Sequence, residues 1–194
     1  MKKKSFIGLA VVAVIVLMAI SAYNGMVSSQ EKATQTWADL QATYQRRADL
    51  IPNLVNTVKA YAKHEKETFE AVVNARAKAT QMNIDISNAT PEQIKQFQEA
   101  QGELSSALNK LMAITENYPE LKANENFMAL QDQLEGSENR INEARQKYNK
   151  AVTDYNTSIR SFPKSLFAGV FGFKTMDKFE AEAAAQKAPT VNFD

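Results

Sequence analysis

Few residues in this chain have the types and spacing that bond-making chemistry needs. The one histidine, His64, stands in "AKHEKE" among alternating charges. A catalytic base needs an oriented nucleophile within hydrogen-bond reach, and no G-x-S-x-G elbow supplies one. His64 therefore reads as a solvated helix residue. Glu65 and Glu138 fall on apolar helical stripes, as the inward carboxylates of di-iron bundles do. Such sites take a Glu-x-x-His from each of two helices, and a chain with one histidine holds no such set. Gly169 and Gly172 form no phosphate-binding loop. The absence of cysteine removes disulfides, thiolate metal sites, a cysteine nucleophile and a lipoprotein anchor. "NAT" at Asn88 matches a glycosylation sequon on three residues alone. The reading is a non-enzyme, with no cofactor, no metal and no evident small-molecule substrate.

One charge does stand in an odd place. In "QRRADLIPNLVNTVKAYAKHE" the spacing is that of a long amphipathic helix, yet Arg47 lies on its apolar stripe and Pro52 at its centre. The Pro52 ring clashes with the Ala48 carbonyl and leaves it without its helical donor. Asp49 is placed to accept from freed N–H groups, and Arg46 to pair with Asp49 on the helix surface. Arg46, Arg47, Asp49 and Pro52 are thus expected to form a structural joint. A guanidinium on the stripe has to pair, reach water or meet a partner.

The elements that would position these residues are helical. Gly is 6 and Pro 5 among 194 residues, and good helix formers abound. Three long helices are expected. The first runs over 26–79, with its stripe at Trp37, Leu40, Tyr44, Arg47, Ile51, Leu54, Val58, Tyr61, Glu65, Phe69 and Val72. "TPEQ" starts the second, with Thr90 as N-cap, Pro91 at the first position and Gln93 closing a capping box. Its stripe includes Phe97, Gln101, Leu104, Leu108 and Leu111. The third runs over 120–161, with Phe127, Leu130, Leu134, Glu138, Ile141, Arg145, Tyr148, Val152, Tyr155 and Ile159 on its stripe. "MNIDISN" at Met82–Asn88 is read as loop.

Ahead of these helices, "MKKKSFIGLAVVAVIVLMAISAYN" carries an unbroken apolar run. From Phe6 to Tyr23 a helix spans roughly 27 Å, close to the ~30 Å hydrocarbon core. Two readings fit, a membrane anchor and a cleaved signal peptide with "AISA" as its processing site. Three features favour the anchor: the length of the run, Tyr23 at the interface position, and helical periodicity that continues without a linker. Lys2, Lys3 and Lys4 are expected to stay in the cytoplasm, which places the rest outside an inner membrane. Formal net charge is +1 with no basic patch, so nucleic acid is not an expected partner.

Residues 1–23 then form the tip and anchor, 24–162 an antiparallel bundle, and 163–194 an apolar, aromatic tail. In "FPKSLFAGVFGFK" the residues Leu166, Phe167, Val170, Phe171 and Phe173 form a candidate interaction surface. The alternative is a hydrophobic lid on the bundle. On the three-helix layout the tail lies far from the bilayer, and a short helix is expected over 177–187. Helices of roughly 80, 40 and 63 Å leave overhangs, at Trp37–Tyr44 below and Val152–Ile159 above. Exposed apolar stripes want a partner: either the tail folds back over the third helix or a second copy fills the gaps. The expectation is self-association through these overhangs, with the tail covering part of the upper one.

"TWADLQATYQRRADLIPNLVNTVKAYAKHEKETFEAVVNARAKA", "ENRINEARQKYNKAVTDYN" and "FPKSLFAGVFGFK" resemble the LemA family of bacterial membrane proteins. The resemblance covers nearly the whole chain. It implies one N-terminal transmembrane helix followed by a long antiparallel bundle with a fourth helical element, and it brings no catalytic residue or cofactor. Some members are associated with building or remodelling intracellular membrane compartments such as the magnetosome. The expected function is a membrane-anchored, self-associating scaffold or adaptor at the bacterial envelope. The partners are then the lipid bilayer, further copies and an envelope protein. An accessory subunit of an envelope protease or quality-control complex, and a sensor binding a ligand between helices, are the alternatives.

Overall fold

The computed structural model describes residues 2–179, with side chains from residue 6. Among the described residues it is helical apart from turns and irregular connections, and it holds no strand. The elements are α1 (Lys2–Tyr61), α2 (Lys66–Gln81), α3 (Pro91–Thr115), α4 (Pro119–Lys122), α5 (Glu125–Arg160) and α6 (Lys164–Ala168). At 1.5 Å per residue α1 is about 90 Å long. Its first third is long and apolar enough to cross a membrane. Burial against the rest of the chain begins at Ala22 and Met26 and continues through Ala33, Trp37, Leu40, Tyr44, Ile51, Leu54 and Val58. Span and bundle therefore share one helix, and Ala22, at the "AISA" sequence, lies within it.

The expected first helix is two helices. The chain breaks at Ala62–Glu65, and α2 folds back along α1, so that Arg76 reaches Ala48 and the Ile84 carbonyl accepts from Trp37 Nε1 at 3.0 Å. No Gly or Pro marks this break. Its reason is tertiary: folding back buries Phe69, Val72 and Ala79, which a straight rod would leave in water. α3 begins with the expected capping box, Thr90 Oγ1 accepting from Gln93 N and Gln93 Oε1 from Thr90 N. It rises antiparallel to α2, with Lys78 paired to Glu103 and Gln101 bonded to Ala79. α5, capped by Asn124, descends along α1, with Trp37 against Tyr148.

This extra reversal changes the layout in two ways. The long helices make four passes, so α5 ends beside the apolar first third of α1, and the tail lies next to that segment instead of far from it as the three-helix layout has it. The overhangs that motivated self-association are filled within the chain: Trp37, Leu40, Tyr44, Val152, Tyr155 and Ile159 are all buried. Pro52 lies inside α1, which continues nine residues beyond it to Tyr61. The break in the chain path is therefore at Ala62–Glu65, not among Arg46, Arg47, Asp49 and Pro52.

Two apolar cores result. The proximal core, nearer the apolar first third of α1, joins Ala22 through Tyr44 to Ile94, Phe97, Ile141, Tyr148, Val152, Tyr155 and Phe179. The distal core joins Ile51 through Ala62 to Phe69, Val72, Leu104, Leu108, Leu111, Leu121 and Phe127. After α6, Gly172 at φ +78° turns the chain into an extended run that returns along α5 to Phe179. Of the short helix expected over 177–187, residues 177–179 are extended and the others lie outside the described residues.

Candidate functional site

Arg47 sits where the two cores meet. It is 2 % exposed, and all four long passes contribute to its surroundings. Its Nη1 donates to Glu138 Oε2 and to Ser105 Oγ, both at 2.8 Å. Its Nη2 donates to Gln101 Oε1 at 2.9 Å. Gln101 Nε2 then donates to the Ala79 carbonyl of α2. The guanidinium also lies 5.4 Å from the Tyr44 ring centre. A buried cation costs several kcal/mol of desolvation unless its donors are met; here α5 and α3 meet those of Nη1 and Nη2, while Nε is buried without a partner. Glu138 keeps 43 % of its side chain exposed, which lowers the cost of the pair.

The Arg47 clamp resolves the odd charges of the sequence together. Arg47, Gln101 and Glu138 interrupt three apolar stripes, and Arg47 is the partner of both others. Glu65 accepts from Tyr118 at 3.2 Å, and Arg145 donates to Tyr44 at 3.3 Å. Burial pushes the Tyr44 hydroxyl above its ordinary pKa, against the opposing pull of Arg145 and then Arg47. A slip of one helix by a turn would strand a buried charge, so the clamp fixes register between passes. Pro52 acts a turn above. Its missing N–H orphans the Ala48 carbonyl, and Arg76 Nε of α2 donates to that carbonyl at 2.7 Å. The proline thus makes a notch into which α2 docks. Asp49 accepts from Gln45 rather than from Arg46.

The tail residues gather at the other end, beside the exit of the span. α6 packs on α1 and α5. Tyr23 makes edge contacts with Phe171 at 5.1 Å and Phe173 at 5.8 Å, and Phe167 stacks on Phe171. Phe162, Leu166 and Val170 stand 80, 63 and 81 % exposed, level with the end of the apolar span. Lys164 Nζ bonds Ser158 and reaches over Gly25. A Cβ at residue 25 would stand 3.0 Å from that Nζ, the mobile tip of a flexible side chain. The expected surface is thus brought together: Leu166 and Val170 face outward, Phe171 is exposed at its edge, and Phe167 and Phe173 form its floor.

His64 is exposed in the α1–α2 turn and Asn88 is exposed in the α2–α3 loop. Among the described residues no three of His, Cys, Asp and Glu gather as a metal site would. An open cleft of about 350 Å³ lies beside the clamp, lined by Gln41, Tyr44, Gln45, Thr80, Phe97 and Gln101. Its Gln101 is already bonded to Arg47 and Ala79. One role is not legible in the stripes, where Tyr148 and Tyr155 read only as apolar seam residues and Asn149 and Asn156 are not on the stripe. Tyr148, Asn149, Tyr155 and Asn156 hold the extended tail. The signal was present as a Tyr-Asn pair repeated after seven residues in "YNKAVTDYN".

A family model described as the LemA family matches residues 36–193. Magnetosome protein MamQ of Magnetospirillum gryphiswaldense is 26 % identical over 179 residues, covering 84 % of this chain and 66 % of its own length. Magnetosome protein MamQ 2 of Paramagnetospirillum magneticum is 27 % identical over 193 residues, covering 91 % and 71 %. Protein LemA of Metamycoplasma hominis is 24 % identical over 139 residues, covering 72 % and 60 %. The chain spans about two thirds of the length of these curated relatives.

Proposed function

This chain belongs to the LemA family, and from that premise we propose that it is a membrane-anchored helical scaffold or adaptor that acts by placement and not by bond-making. The observation that carries the reading is the continuity of α1. The same unbroken helix supplies an apolar span and the seam of the bundle, so the bundle cannot swing freely on its anchor. The tail strengthens this. Phe171 stands against Tyr23, and with the exposed Leu166 and Val170 of the same tail it extends the exposed apolar surface of the span. On this reading they seat in the headgroup boundary of the same leaflet, with Lys164 among the headgroups. The bundle is then held by a span and a shelf, two contacts that fix its orientation. The magnetosome naming of two relatives fits work at a membrane surface.

The proposed setting is an inner membrane, with Lys2, Lys3 and Lys4 in the cytoplasm and the bundle outside. The natural lack of cysteine makes the test clean. Glu103→Cys on exposed α3 should react with a membrane-impermeant maleimide in spheroplasts, and Ser5→Cys only after lysis. The reverse pattern overturns the orientation. The mass and composition of the detergent-extracted assembly test the role. Copies of this chain, or a non-catalytic envelope protein held on it, support the scaffold. A stoichiometric protease makes it that enzyme's accessory subunit instead.

A further inference from the structure

Residues Lys174–Phe179 lie extended against α5 and are held by their main chain. The Asn156 amide donates to the Met176 carbonyl at 2.8 Å and accepts from the Met176 N–H at 2.9 Å. Asn149 grips Phe179 in the same two-handed way, at 2.9 and 2.8 Å. Tyr155 donates to the Lys174 carbonyl at 2.7 Å and Tyr148 to the Asp177 carbonyl at 2.8 Å. The register has a simple cause. Seven helical residues rise about 10.5 Å and three extended residues about 10 Å. A Tyr-Asn pair repeated at seven therefore meets a peptide at every third residue, running antiparallel. Asn142 continues the spacing of seven on α5 and is exposed.

None of these six bonds reads a side chain of the occupant. Only Met176 and Phe179 bury their side chains, while Lys174, Thr175, Asp177 and Lys178 face solvent. Phe179 enters a cage of Trp37, Phe97 and Tyr148, with ring centres 5.7, 6.3 and 5.6 Å away. Arg145 lies over its ring at 5.8 Å. Among the described residues the run has no main-chain bond to other main chain; the last such bond, Phe173 N to Ala168 O, comes just before it. Such a surface asks for extended backbone and two apolar anchors three residues apart, and is indifferent to the rest.

We propose that this face of α5 is a binding site for an extended peptide of a partner protein, and that residues 174–179 are its resident occupant in cis. The partner segment carries an aliphatic or methionine side chain, then an aromatic one three positions later. The same segment from a second copy would gain no bond that the resident tail lacks, and would add the cost of association. A partner can offer more, because the line of asparagines extends to Asn142. This proposal goes beyond the scaffold reading and stands whichever way the membrane topology falls.

The test uses the full chain in detergent micelles and a fluorescent peptide with the sequence of residues 173–181. The variant Met176→Ser/Phe179→Ser should bind that peptide at least ten-fold tighter than the unsubstituted chain does. Adding Asn149→Leu and Asn156→Leu should abolish the gain. A peptide with serine at both anchors should not bind, and one altered at 174, 175, 177 and 178 should bind equally. Equal binding to all variants, or dependence on the solvent-facing positions, overturns the proposal. So does a mixed two-chain complex that outcompetes the peptide, since the occupant is then a second copy. Hydrogen exchange on the unsubstituted chain needs no variant. The Met176 and Phe179 amides should exchange at least ten-fold faster than mid-α5 amides, as a site that vacates locally requires. Exchange of both sets only by global unfolding means that the groove never empties, and overturns the proposal.

Discussion

The distal core is mainly aliphatic, with Phe69 and Phe127 its only buried aromatic members among the described residues, and Leu54, Val58, Leu104, Leu111 and Leu121 are fully buried in it. The proximal core is aromatic, built on Trp37, Tyr44, Phe97, Tyr148 and Tyr155, and its last wall is the extended tail with Met176 and Phe179. The difference follows from the number of passes. Distally four helices surround the seam, and periodic stripes suffice to close it. Proximally α2 has ended, and α3 reaches no lower than the loop at Thr90. A non-helical strap takes the vacant position, and its main chain then needs side-chain partners for its N–H and C=O groups. The Tyr-Asn pairs of α5 supply them. A wall held this way can open alone, whereas no distal helix can leave without exposing a continuous apolar stripe.

The largest expected effect comes from breaking the layer between the two cores. Arg47→Ala empties a fully buried site and leaves buried Gln101 without its partner, while the half-exposed Glu138 turns to water; it should destabilise the detergent-solubilised chain by about 2–5 kcal/mol. Urea unfolding followed by circular dichroism measures it. A loss below about 1 kcal/mol would mean that the two cores are not joined through Arg47. Next comes the distal notch. Arg76→Ala strips the Ala48 carbonyl of its donor and should cost about 1–3 kcal/mol. In a Pro52→Ala background the helix regains its own N–H, so the same substitution should cost markedly less. A double-mutant cycle with no coupling would break the assignment.

Alkali should separate the two regions. Burial raises the pKa of Tyr44, Tyr148 and Tyr155, all of the proximal core. A raised tyrosine favours its protonated, folded form. The stability it contributes is complete below the ordinary value near 10 and is lost as pH rises through the higher folded value. The tail and lower α5 should therefore lose hydrogen-exchange protection above about pH 10 before the aliphatic distal core does. Tyr118 is the one distal tyrosine also raised, by its partial burial and then by Glu65, but it lies at the rim. Simultaneous loss in both regions would contradict the division.

The smallest effect on stability is expected at the shelf. Leu166→Ser and Val170→Ser should each change it by no more than about 0.5 kcal/mol, because both side chains are exposed. Their consequence is in membrane depth. In nanodiscs carrying nitroxide lipids, Val170→Trp should be quenched strongly over the background of Trp37, which is buried in the proximal core. Quenching no greater than that of Trp37 would leave the shelf in water.

Much of this was legible from residue order. The capping box at Thr90, the stripes from Trp37 to Val58 and from Phe127 to Ile159, and the apolar span all rest on local spacing. The break at Ala62–Glu65 was not legible, because "AKHE" carries no breaker and the reversal is driven by burying Phe69 and Val72 against α3. A first helix unbroken to Ala79 would carry the tail far from the apolar span and leave overhangs, which the folded chain instead fills. Arg47 was legible as an anomaly but not as a clamp, since Glu138 lies 91 residues away along the chain. Pro52 was legible as a defect in a helix; that Arg76 repairs it was not.

By itself the sequence determined the helical class, the apolar span, the seam positions and the polar residues that interrupt them. These depend on periods of three and four and on side-chain chemistry, which neighbours in the chain express locally. Tertiary structure alone decided where α1 stops, which interrupting residues pair, and that an extended tail closes one core. Those outcomes depend on which stripe can bury which, and on a match of rise between helix and strand, and neither is set until distant segments meet.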